Sequence, residues 1–301
     1  SFNASHVGCE WKKQTTHSIY DVLRPMVSQE MAKKLQEDTG IKSVIIFPIA
    51  FGDRQLGTFM VWLDRNIVDF SQYEKQSFWP LLEKKLTKNG AYLDAGCGIG
   101  GWILFLVDKG YDVQGIDAHP QAVRAMTEYD PDLSVKIARS DAIPATSEVF
   151  DAVISIGSLE YTEGAVEQSL QEFHRVVKSG GFVCIEVPLA NTLRKLFYIP
   201  LKRFEGLFKR MTGRTATFVY YLFDKTEFEA LLKKTGFEIE TVQAHDLPDA
   251  NSHFGLYSNW PALRGSKPYE LNALGRVVKA ISNAISPYVA SAGMVVIAKK
   301  K

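Results

Sequence analysis

The residues best placed to do chemistry are gathered in Asp94-Ala95-Gly96-Cys97-Gly98-Ile99-Gly100-Gly101, between two apolar runs. Glycines at this density let a backbone approach a ligand closely, and a turn that opens a helix presents free N–H groups. Two ligand classes compete for such a turn. Gly96, Gly98 and Gly101 satisfy G-x-G-x-x-G, and Asp117 stands 21 residues after Gly96, where an acid would bind a ribose diol. Those positions alone allow a dinucleotide. Against it, Asp94 just before the turn would crowd a pyrophosphate while suiting a cationic amino group. A second acid, Asp141 in Arg139-Ser140-Asp141-Ala142, is placed to receive an adenine amino group.

The elements that must position these residues alternate. Strands are expected at 91–94, 111–117, 135–138, 150–156 and 182–187, with helices at 102–109, 120–129 and 165–178 between them. Asp224 with Glu227 caps a further helix that Gly236 ends, and 237–242 and 294–299 are the last two strands. Strand and helix in turn imply right-handed crossovers and a mostly parallel sheet. Segments 189–221 and 248–292 break the alternation, and insertions at strand ends commonly build a substrate site.

Taken with Phe150-Asp151-Ala152-Val153-Ile154-Ser155, Leu159-Glu160-Tyr161 and Arg175 to Phe182, the series over residues 88–301 resembles the class I S-adenosylmethionine-dependent methyltransferases, particularly their small-molecule branch. The resemblance implies an α/β fold, a Rossmann-like doubly wound seven-stranded sheet with an antiparallel last strand. It implies S-adenosyl-L-methionine as cofactor, with Asp94, Gly96, Gly98 and Gly100 around its methionine part and Asp117 on the ribose hydroxyls. Ala118 and His119 would lie near the adenine face, Asp141 and the Ala142 backbone would read its edge, and Ser155 to Ser158 would close the pocket. A sulfonium methyl is already activated, so the enzyme chiefly aligns a nucleophile and excludes water. Glu160 and Tyr161 follow the fourth strand and are candidate catalytic residues; relatives often carry a histidine where this chain has Tyr161. His245, with Asp246 and His253, offers another base. The expected activity is methylation of a small or lipid-like acceptor, at oxygen. A nicotinamide-dependent oxidoreductase and a non-catalytic cofactor-binding scaffold are the alternatives.

The chain has 301 residues with 35 Lys+Arg against 34 Asp+Glu, so its net charge of +1 exerts no bulk pull on nucleic acid. No metal-ligand spacing is evident, and Cys9, Cys97 and Cys184 lie far apart, which suits a reducing cytoplasm. Charge is uneven locally. Residues 191–214 hold seven Lys and Arg against Glu205 alone, with Leu196, Phe197, Leu201 and Phe204 among them at three- and four-residue spacing. That is the pattern of an amphipathic lid able to touch an anionic membrane surface. Ahead of residue 86, Ser43 to Ala50 and Leu56 to Asp64 read as a hairpin, and Ser71 with Glu74 caps a helix that Pro80 kinks. Residues 25–86 resemble the C-terminal half of a GAF domain, a small α+β segment suited to dimerisation. The expected division is therefore 1–86 and 87–301.

Overall fold

The computed structural model describes residues 70–201 and 219–301, and the backbone of three strands before them. These are β1 (Thr16–His17), β2 (Ser43–Phe51) and β3 (Arg54–Leu63), an antiparallel sheet in the order β1-β2-β3. The hairpin read from sequence is the β2–β3 pair, running from Ser43 opposite Leu63 to Phe51 opposite Arg54. The other residues that carry the GAF resemblance ahead of residue 70 lie outside the described residues.

The chain divides into two compact units, 1–69 and 70–301. The helical segment ahead of residue 86 falls in the second unit as two short helices, α1 (Ser71–Glu74) and α2 (Trp79–Glu83). Aromatic packing explains this placement. Phe70, Tyr73 and Trp79 lie 5.7, 5.4 and 4.7 Å, centroid to centroid, from Phe105. Phe78, Trp79 and Leu82 are buried in the same core. Pro80 sits in the first turn of α2, where its missing N–H costs no helical bond.

The second unit then alternates as expected: β4 (Ala91–Ala95), α3 (Gly101–Asp108), β5 (Asp112–Asp117), α4 (Pro120–Tyr129), β6 (Val135–Ile137), β7 (Phe150–Ile156), α5 (Val166–Val176) and β8 (Val177–Pro188). After the first insertion come α6 (Lys225–Lys234) and β9 (Phe237–His245). The second insertion holds α7 (Phe254–Asn259) and α8 (Ala273–Ile285), and β10 (Gly293–Lys300) closes the sheet. The seven strands run β6-β5-β4-β7-β8-β10-β9, with β10 antiparallel to both neighbours.

Period-two alternation splits the strands between two cores. Leu93, Val153, Val183, Ile185 and Val296 face α5 and α6. Tyr92, Ile154, Cys184 and Ile297 face α2, α3 and α4. Such doubly covered strands read as continuous apolar runs, so an acid inside one, as at Ile185-Glu186-Val187, stands out.

Strand order reverses at β4, with β5 on one side and β7 on the other, and the crevice beyond their carboxyl ends is where open α/β sheets bind ligands. Of the basic lid, residues 192–201 are helical with a π-type turn at Arg194–Tyr198, while Lys202, Arg203, Lys209, Arg210 and Arg214 lie outside the described residues. Among the described residues no helix is long and apolar enough to cross a membrane, and no group of three acids, histidines or cysteines is set to hold a metal ion.

Candidate active site

The glycine turn leaves β4 and enters α3 through three residues with positive φ: Gly96 at +90°, Gly98 at +55° and Gly100 at +93°. Each has its own constraint. A Cβ at Gly96 would collide with the Ser158 side chain, and one at Gly100 would come within 2.9 Å of Met126. Before Gly98 there is open space, with no atom within 4 Å of where a Cβ would stand. The turn is pinned from below, because the N–H groups of Gly96 and Cys97 donate to the Ile116 carbonyl at 2.8 and 3.0 Å.

Two acids stand near the carboxyl ends of the strands beside the turn, Asp94 on β4 and Asp117 at the end of β5. Asp117 Oδ2 accepts from the Gly98 N–H at 2.9 Å, and Oδ1 accepts from the His119 N–H at 2.8 Å. Burial alone would raise the Asp117 carboxyl, but the bonds from His119 and Gly98 outweigh it and hold it below the usual range. It is an anion with lone pairs to spare. Asp94 has the opposite balance. It is 2% exposed, its Oδ2 has no hydrogen-bond partner, and desolvation with the nearby Asp117 charge pushes it up to about 7. A cation beside it would relieve both costs.

At the far wall of the crevice Ser158 Oγ donates to the Ala95 carbonyl at 2.7 Å, and the Ser155 and Ser158 hydroxyls lie 2.8 Å apart. Ser158 thus ties the turn after β7 to the end of β4, with the wholly buried Ser155 hydroxyl behind it. Beyond it the short turn 159–161 presents Glu160 and Tyr161. Glu160 is 6% exposed, with Oε2 lacking a partner, and desolvation pushes it up to about 7. Tyr161 is exposed, its ring 6.3 Å from that of Tyr220, and the Tyr221 N–H donates to the Glu160 carbonyl at 2.9 Å. The segment that follows the lid is thus tied to the turn that carries Glu160.

A third raised acid was not among the expected site residues. Glu186 on β8 places a carboxylate oxygen 3.7 Å from the point a Cβ at Gly157 would occupy, and Glu160 places one 3.9 Å from it. Desolvation, then the charge of Glu160, push Glu186 up to about 8. An acid inside an apolar strand was the available signal.

The Methyltransferase domain family matches residues 69–242, more than half of the chain. This chain belongs to the S-adenosylmethionine-dependent methyltransferases. It is 28% identical over 161 residues to an uncharacterized methyltransferase of Synechocystis sp., covering 53% of this chain and 72% of that one. It is 37% identical over 97 residues to the 2-methyl-6-phytyl-1,4-hydroquinone methyltransferase of Synechocystis sp., a match that covers 31% of this chain and spans 30% of that relative's length. A SAM-dependent methyltransferase structure from Methanosarcina mazei aligns with a TM-score of 0.52 at 19% identity, covering 74% of this chain and 97% of that one, and so shares the fold. The family match begins at residue 69 and lends no support to a GAF-like segment before it.

The methyltransferase therefore uses S-adenosyl-L-methionine, and the dinucleotide alternative falls away. The residues present fit the cofactor. The orphaned, buried Asp94 oxygen suits its cationic end, the space before Gly98 admits a close ligand, and Asp117 keeps acceptor capacity for hydroxyls. Ala118 and His119 are exposed at the start of α4, beside Asp117, with the imidazole Nδ1 3.1 Å from Asp117 Oδ1. At Asp141 and Ala142, expected to read the adenine edge, the chain is engaged with itself. Arg139 clamps both Asp141 oxygens at 2.8 and 2.7 Å, and the Ala142 N–H donates to the Arg139 carbonyl at 3.1 Å. His245 ends the outermost strand β9, four places from β4, edge-on to Phe78 at 5.2 Å. Burial holds its imidazole below the usual value. Asp246 and His253 form a buried pair at 2.9 Å that secures α7.

Proposed function

We propose that this methyltransferase methylates an oxygen of a small or lipid-like acceptor, with Glu160 as general base. The observation that carries the reading is the Glu160 carboxyl, buried, unpartnered at Oε2 and pushed up to about 7. A base of that strength is half ionised near neutrality, where proton transfer is most efficient. The relative named for a phytyl hydroquinone supports an acceptor with both an ionisable hydroxyl and an apolar tail.

Bound S-adenosylmethionine supplies an electrophilic methyl group on sulfur. In this reading Asp94, Gly96, Gly98 and Gly100 hold its methionine part and Asp117 holds the ribose. Asp141 and the Ala142 backbone take the adenine edge once the Arg139 clamp opens, with Ala118 and His119 beside it. Ser155 keeps the crevice closed to water from behind. Glu160 Oε2 takes the acceptor's hydroxyl proton, and the exposed Tyr161 ring guides an apolar acceptor inward. Burial, then the Glu160 charge, raises Glu186, so this buried pair takes up a second negative charge less readily than the first.

Incubating the enzyme with radiolabelled cofactor and lipid extract tests this reading. The expected result is label on an ether or ester oxygen, a kcat that rises with pH to a plateau above about 7, and a roughly hundredfold loss of kcat in Glu160→Gln. S-adenosylhomocysteine affinity should not change. Label on carbon or nitrogen, or a Glu160→Gln enzyme with full activity, would refute it.

A further inference from the structure

We infer that the cap built from residues 192–201 and 248–292 docks on an anionic lipid surface. The observation behind this is that α8 is packed with its apolar side outward. Leu274, Val277, Ile281 and Ile285 are 59%, 55%, 58% and 73% exposed, while its buried positions are Gly275 and Ser282. The four exposed residues recur every three or four positions and form one stripe along the helix.

The helix cannot roll to bury that stripe. A Cβ at Gly275 would stand 2.7 Å from the Leu263 carbonyl oxygen, so this side is pressed onto the cap floor. Three side-chain bonds fix the rotation. Asn272 Oδ1 accepts from the Gly275 N–H at 2.9 Å, Arg276 donates to the Leu271 carbonyl at 2.9 Å, and Lys279 Nζ donates to the Ser252 carbonyl at 2.9 Å.

The start of the lid adds Leu196 and Phe197, both exposed. It belongs to the same cap, since Leu193 and Val278 both pack on the small core of Leu256, Leu263, Leu271 and Ala290. Charge identifies the occupant. Helix α8 has no acidic residue. Leaving aside the buried Arg194, the cap residues 192–201 and 248–292 have five Lys and Arg against two acids, a local excess of +3 in a chain of net +1. Exposed apolar stripes in a cationic surround match a segment that lies in the headgroup layer of an anionic bilayer. This inference goes beyond the acceptor reading and does not depend on it.

Sedimentation with vesicles tests it. The full chain should pellet with phosphatidylcholine vesicles containing roughly 30% phosphatidylglycerol and stay in solution with phosphatidylcholine alone. The double variant Val277→Asp with Ile281→Asp should partition at least about tenfold less, with unchanged S-adenosylhomocysteine affinity and Tm. If that variant fails to fold, Leu274→Ser with Ile285→Ser should give a smaller loss in the same direction. The inference is overturned if the wild type ignores anionic vesicles, if a folded variant pellets equally, or if the wild type is a dimer that the variant dissociates. That last result would assign the stripe to a second copy of this chain.

Discussion

Four acids near the crevice differ in state because their surroundings differ. Asp117 is held ionised by the bonds from His119 and Gly98 that outweigh its burial, whereas Asp94, Glu160 and Glu186 are raised by desolvation to about 7, 7 and 8. For the raised three, the native chain binds protons more tightly than the unfolded one. Their stabilising effect is full below the unfolded values near 4 and is lost as pH rises through about 7 to 8. The Tm of the ligand-free enzyme should therefore fall between about pH 4 and pH 8, and less steeply in Glu160→Gln; a flat profile in both would show that these acids are solvated. Asp117→Ala removes a charged acceptor from two backbone N–H groups and from the proposed ribose contact. It should weaken S-adenosylhomocysteine binding at least about tenfold by calorimetry.

At the level of elements, the β4–α3 turn couples backbone conformation to packing. Gly96→Ala forces an L-residue into φ +90° and drives its Cβ into Ser158. The expected cost is upward of about 1 kcal/mol from the backbone alone, read as a lowered Tm together with lost cofactor binding. Gly98→Ala carries a similar backbone cost at φ +55°, about 1 kcal/mol, but meets no atom in the ligand-free enzyme, so its Tm loss should be the smaller of the two and its further effect should appear in affinity. The contrast between the two separates a glycine required by the protein from one required by the ligand. The turn was legible in sequence because glycine spacing and a preceding acid are local. The Ser158 contact was not, since it closes over 63 residues of chain to Ala95. The outward stripe of α8 was hidden for a related reason, as periodicity reveals an apolar face but not which side the cap floor receives.

For the whole molecule, the boundary at 69/70 has a direct test. A chain of residues 70–301 should melt cooperatively and bind S-adenosylhomocysteine, whereas 87–301 should not, because it lacks Phe78, Trp79 and Leu82 from the core beneath α3. Losing even one such aromatic costs about 3–5 kcal/mol, a large share of a domain's stability. Sequence alone determined the order of strands and helices, the glycine turn and the acids Asp94, Asp117 and Asp141, because period, capping and spacing are written in neighbouring residues. Only the tertiary structure decided that Glu186 stands beside Glu160, that Arg139 clamps Asp141, that His245 sits at the sheet's outer edge, and that α1 and α2 belong to the second unit. Desolvation and charge depend on what the folded chain brings close, and residues distant in sequence meet only when the sheet is assembled.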